Sequence, residues 1–298
     1  MAHPLIALLL HGGSFSWTHF SVHPSTVLGT ALFTGLYLWG IGPARVRWQL
    51  APEPAPAWQR LSFLSGSVLL LLTLNGPLHD LSDGYLFSAH MVQHLILRLL
   101  IPPLWLLGLP DWLVRAAIRR PRVYGLARTL THPALTFTIY NAVFIGWHVP
   151  VLYEAALEHH GLHILQHLMF IASAVMLWWP AVDPSPELSR MGPPMRLFYL
   201  FAVGIPMSVV AALITLSGDV LYPWYAVQPR VLGLSPLDDQ QLGGLIMWVP
   251  GGLSWWVAIS IIYLRWAQRE ERDEEQARRP ARARPGPDAP PLRGPAHA

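Results

Sequence analysis

The sequence predicts an all-α integral membrane protein: a seven-transmembrane helix bundle with its N-terminus outside and its C-terminus in the cytoplasm. Three observations carry that expectation. Of 298 residues, 53% are hydrophobic and only 12% charged, about half the charge fraction of a soluble domain, and the mean hydropathy is +0.37. Seven apolar stretches approach the roughly 20 residues that cross a bilayer core as a helix. Lysine is absent, and 18 of the 20 arginines fall on one side of those stretches.

The chain divides into an extracytoplasmic segment, 1–25, a membrane domain, 26–265, and an Arg/Pro-rich cytoplasmic tail, 266–298. Residues 4–10 are apolar but follow no basic region, so a cleaved signal peptide is not expected. The first span, 26–43, stops before Arg45 and Arg47, and the second, 61–78, starts after Arg60. The third, 85–109, leads into a 110–132 loop with five arginines. The fourth, 133–152, and fifth, 160–182, are joined by a loop with none. Arg190 and Arg196 flank the 183–194 loop before the sixth, 195–217. The seventh, 241–265, runs into a tail with eight arginines. Arg230 alone lies opposite, and Arg98 lies inside span three. This asymmetry places the N-terminus outside and the C-terminus in the cytoplasm. It also explains the basic pI as a topology signal, so no nucleic-acid partner is expected. Gly204-Ile205-Pro206 and Pro250-Gly251-Gly252 mark bends within spans six and seven. From about residue 275 the composition predicts disorder, with arginines able to touch anionic lipid headgroups of the bilayer.

Cysteine is absent, which removes disulfides, thiolate metal sites, iron–sulfur clusters and CxxCH haem attachment. Histidine is abundant, with 14 residues, and only His132 and His297 fall on the cytoplasmic side. His3, His11, His19 and His23 lie in the N-terminal segment, and His159 and His160 at the outer interface. His90/His94 and His163/His167 are i, i+4 pairs, each on one helical face. At 1.5 Å per residue, His94 lies about 13 Å and His167 about 10 Å below the outer boundary, with His148 about 6 Å deep. Ionisable side chains at such depth mark functional sites. His90, His94, His148, His163 and His167 are therefore the candidate metal ligands, converging from facing helices.

Imidazole without thiolate suits copper, zinc, iron or nickel, and thioether would add preference for Cu(I). Met91, Met169 and Met247 are possible accessory ligands, with Met207 near the middle of span six. His79, Asp80, Asp83, Asp239 and Gln241 could form an outer rim that draws cations or orients ligands; Asp219, Glu154 and Glu158 share that side. Asp83 or Asp238 could equally cap spans three and seven. Arg98, on the face of His90 and His94, is expected to snorkel or bond carbonyls, or to meet an anionic group such as a haem propionate. Walker, GxSxG, HExxH and DFG patterns are missing, so no catalytic residues are assigned and an enzyme is not expected.

SAHMVQHLILRLLIPPLWLLGLP (88–110), WHVPVLYEAAL (147–157), HILQHLMFIASAVMLWWP (163–180) and SPLDDQQLGGLIMWVPGG (235–252) resemble the polytopic CtaG family of bacterial cytochrome c oxidase assembly factors. This is the seven-span family, not the single-span copper chaperone that shares its name. The resemblance spans roughly 60–265. It implies a chaperone that helps mature a haem–copper oxidase, with oxidase subunits and other copper chaperones as partners and copper as its cargo. The matched positions are His90, His94, His148, His163 and His167, with Asp239 and Gln241 in span seven; Arg98 departs from the apolar residue expected there. The alternative is a haem-binding electron-transfer protein with His94 and His167 as axial ligands. A metal-ion or proton transporter is a third reading, against which the apolar inner halves of the spans argue.

Overall fold

The computed structural model describes residues 20–283, with side chains to residue 278. The N-terminal histidines His3, His11 and His19, the run at 4–10 and the end of the tail lie outside the described residues. Helices and turns make up what is described, with no strand. In chain order the helices are α1 (Pro24–Arg47), α2 (Ala57–Thr73), α3 (Pro77–Gly84), α4 (Phe87–Leu107), α5 (Asp111–Ala117), α6 (Pro121–Leu130), α7 (Pro133–His148), α8 (Pro150–Glu158), α9 (His160–Val182), α10 (Pro193–Thr215), α11 (Pro223–Ala226) and α12 (Pro236–Ala283). Five of them, α1, α4, α9, α10 and α12, are long and apolar enough to cross a membrane. The bent pairs α2–α3 and α7–α8 bring the number to seven if each is one span. Leu28, Leu32, Leu36, Phe198, Leu213 and Val257 point outward, an apolar exterior that water would penalise and lipid does not. The protein is a multi-pass membrane protein.

Two spans expected to be continuous are broken, each by a missing backbone donor. Pro150 cannot bond back to Gly146, and the residue before a proline avoids the helical region. Val149 is accordingly extended at φ −65°, ψ 125°, and α8 leaves α7 at 75°. The freed His148 carbonyl accepts from Tyr222 Oη at 3.0 Å. Between α2 and α3 the chain turns 49° at Asn75-Gly76-Pro77. Asn75 Nδ2 donates to Leu71 O, and its Oδ1 accepts from His23 N. Gly76 sits at φ +75°, where a Cβ would stand 2.6 Å from the Phe20 ring. Only glycine fits that turn.

α4 is the central element. Pro102 and Pro103 remove two donors, and residues Ile96–Leu100 form a π-helical turn just before them. The Arg98 carbonyl that Pro102 cannot reach accepts instead from Trp178 Nε1 at 2.9 Å, which ties α4 to α9. The start of α4 is not capped by Asp83, nor does Asp238 cap α12. Ser235 caps α12, accepting from Asp238 N at 3.1 Å and donating to the Asp238 carboxylate. The α4 cap comes from α12: Asp239, fully buried, accepts from Phe87 N (2.7 Å), Ser88 N (3.1 Å) and Ser88 Oγ (2.5 Å). A cap needs only an acceptor at the right point, and a neighbouring helix supplies it as well as the preceding residue does.

α12 lies along α10 and the first half of α4. Gly244 permits this approach, since a Cβ there would come within 2.4 Å of Thr215 Oγ1. The helix also outlasts its expected end at 265 and continues to Ala283. Its polar stretch is rich in Glu, Gln, Arg and Ala, good helix formers, and carries the i, i+4 pair Glu274–Arg278.

Candidate metal centre

The i, i+4 spacing of the histidines becomes convergence because α4 packs against α9. His90 and His94 Nε2 atoms stand 2.8 Å apart, and those of His163 and His167 3.2 Å apart. The His90 and His163 rings stack with centroids 5.7 Å apart, and His94 meets His167 edge-on at 5.5 Å. Ligand atoms of His90, His94 and His167 all lie within 4.8 Å of one another, as do those of Asp83, His90 and His163. Two imidazole nitrogens on one tetrahedral ion, at about 2.0 Å each, stand roughly 3.3 Å apart. The 2.8 Å and 3.2 Å pairs are near that spacing, and each group of three is close enough to converge on one small ion. The four rings are also deeply buried, from 0% exposure at His90 to 8% at His167.

Hydrogen bonds behind the rings orient them, as outer partners commonly do for metal ligands. Tyr225 Oη donates to Ser82 O at 2.8 Å and lies 2.9 Å from His90 Nδ1. Burial pushes the Tyr225 phenol well above its ordinary range, so the hydroxyl keeps its proton. With that proton on Ser82 O, His90 Nδ1–H donates to the phenol oxygen and its Nε2 lone pair is left toward the cluster. The Asp83 carboxylate lies 3.4 Å from both His163 Nδ1 and His79 Nε2. Gln93 Nε2 donates to Thr73 O and to His79 Nδ1. That assigns the Nε2–H of His79 to Asp83 and makes His79 a support for the carboxylate.

The other sequence candidates fall elsewhere. His148 donates from Nδ1 to Phe144 O at 2.7 Å and stands outside both ligand groups, its Nε2 buried without a partner among the described residues. It ends α7 at the Pro150 break, which turns the chain away there. Asp80 accepts from Ser21 Oγ at 2.5 Å, holding the start of the described chain. Gln241 Nε2 reaches Ser217 O, a loop tie, and Asp239 is the α4 cap. Met91 and Met247 pack in the main hydrophobic core, and Met169 is half-buried on α9.

Arg98 does not snorkel. It is 1% exposed, its guanidinium 4.5 Å over the Phe144 ring, with Nη2 donating to Met207 Sδ. Its Nε and Nη1 find no partner among the described residues. It lies within the π-helical turn at Ile96–Leu100.

Sequence reasoning missed Gln93, Ser82 and Tyr225. Gln93 was visible as an amide-bearing position beside His94 in an apolar span. Tyr225 was not, because its role depends on a loop folding back. Glu154, placed on the outer rim by the sequence, anchors that loop: Trp224 N donates to the Glu154 carboxylate and Trp224 Nε1 to Asp83 O.

Residues 35–269 match the sequence model of a family described as cytochrome c oxidase caa3 assembly factor. An uncharacterized protein of Mycobacterium leprae is 24% identical over 274 residues, covering 83% of this chain and 40% of its own length. Uncharacterized proteins of Mycobacterium bovis and Mycobacterium tuberculosis are each 26% identical over 238 residues, covering 73% of this chain and 35% of theirs. The chain thus spans about two fifths or less of the curated relatives it matches. No solved structure matches it.

Proposed function

The chain belongs to the cytochrome c oxidase caa3 assembly factor family, and from that premise we propose that it carries copper for oxidase maturation on the four imidazoles of α4 and α9. The reading rests on one observation, the convergence of His90, His94, His163 and His167 at ligand spacing in a cysteine-free membrane interior. Histidine-only donor sets suit copper, and copper is what a haem–copper oxidase needs delivered. The ion is cargo, bound on the histidine-rich, extracytoplasmic side of the cell membrane and passed to an oxidase subunit or a copper chaperone. The geometry favours an ion over a porphyrin. A third and fourth imidazole crowd the point between His94 and His167, where a macrocycle held by those two would have to lie.

The test is metal analysis of purified wild type beside a His94→Ala/His167→Ala double variant, with a visible spectrum of each. Copper in the wild type, its loss in the variant and no Soret band are expected, together with reduced oxidase copper in a deletion strain. Equal metal content in the two proteins would refute the site, and a Soret band would refute the cargo.

A further inference from the structure

A cavity of about 340 Å3 opens beside the cluster, between the start of α1, the end of α3 and the start of α9. Its outer wall carries His23, Glu158 and His160, and its inner wall Asp83, His163 and His167. His90 and His94 do not line it. Exposure falls in the same order: Glu158 and His160 are exposed, the Asp83 side chain is 28% exposed, His163 and His167 are 7% and 8%, and His90 and His94 are 0% and 2%.

We propose that this cavity is the port through which the cargo ion reaches and leaves the buried imidazoles, received first by His163, His167 and Asp83 and then by His90 and His94. The inference rests on the copper reading above and adds its route and its form of delivery. Asp83 and Glu158 bring two carboxylates to the port, and such groups attract cations. At about 30 Å3 per water it holds roughly ten waters. That is room for a hydrated ion or for one or two ligand side chains of a carrier, and too little for a folded domain. A carrier therefore docks over the mouth and hands the ion inward. The i, i+4 pair on α9 is the receiving half of the site, and the pair on α4 is the deep half.

The absence of native cysteine makes the port addressable. Ser25, exposed on the rim, is replaced in Ser25→Cys and alkylated with a bulky maleimide in the full-length protein. Glu53→Cys, exposed beyond the far end of α1, is the labelled control. Cuprous ion is supplied under ascorbate, and uptake and extraction by a cuprous chelator are followed in time. Labelled Ser25→Cys is expected to load and release at least tenfold more slowly than its unlabelled form. Its copper content at equilibrium should stay unchanged, and labelled Glu53→Cys should exchange at the wild-type rate. Equal rates for labelled and unlabelled Ser25→Cys, with copper bound, would overturn the port and leave the cluster standing. Wild type that binds no copper would overturn both.

Discussion

Asp239 carries a prediction that can be worked through from its contacts. Its carboxylate, fully buried, takes three hydrogens at the start of α4, two from the Phe87 and Ser88 backbone and one from Ser88 Oγ. Asp239→Ala leaves two backbone donors buried and unpaired, at about 1–3 kcal/mol each. Asp239→Asn keeps one acceptor oxygen but turns an amide N–H₂ toward a backbone N–H, costing about 1–2 kcal/mol on the scale of lost helix caps. For a domain of this size each kcal/mol moves the thermal midpoint by about 2–4 °C. The midpoint should fall by about 3–6 °C in Asp239→Asn and by roughly 12 °C in Asp239→Ala. The assay is thermal unfolding in one detergent at one scan rate, followed by intrinsic tryptophan fluorescence. Copper retention should fall in the same order, because the cap sets the height of His90 one turn away. Midpoints within about 1 °C of wild type for both variants, or a larger effect for Asn than for Ala, would refute the trans-cap account.

Other substitutions test the remaining joints. Trp178→Phe removes the donor to the Arg98 carbonyl and should cost about 1–3 kcal/mol, read as a lower unfolding midpoint. Gly76→Ala forces a left-handed residue against Phe20; at about 1–2 kcal/mol for the backbone alone it should destabilise by at least that much, with increased proteolysis at the α2–α3 bend. Gly244→Ala pushes α12 off Thr215 and should lower the midpoint, whereas Gly35→Ala, with nothing within 4 Å, should not. Arg98→Met removes a buried charge with two unpaired nitrogens and should raise the midpoint, since apolar replacement of buried charges often gains about 1–4 kcal/mol. A lower midpoint would mean that the aromatic cage around the guanidinium more than offsets its desolvation.

Much of this architecture was legible because helical periodicity converts spacing into faces. The pairs His90/His94 and His163/His167 could be placed on facing surfaces from their intervals and depths alone. The breaks at Pro150 and Pro77 were written just as openly, but a hydropathy window counts apolar atoms and does not register a missing N–H. Asp239 was visible as a carboxylate near the histidine end, yet its duty depends on which helix α12 meets, and that is decided by Gly243 and Gly244 allowing contact with α4 and α10. Tyr225 belongs to a loop whose path is set by long-range bonds, which no local pattern encodes. Arg98 was misjudged for a similar reason: its guanidinium is held by Phe144 and Met207, which belong to other helices and which no local pattern brings to it.

The loop after α10 binds four separate segments at once. Tyr222 holds the end of α7, Trp224 holds both α8 and α3, and Tyr225 holds α3 and the back of His90. Bonds shared in this way break together, so the loop, α3 and α8 should behave as one cooperative lid, with amides that exchange with solvent at a common rate. Lifting that lid would also detach the phenol that fixes which nitrogen of His90 carries its hydrogen. A protein that grips the loop from outside would thus have a mechanical handle on an imidazole it never touches.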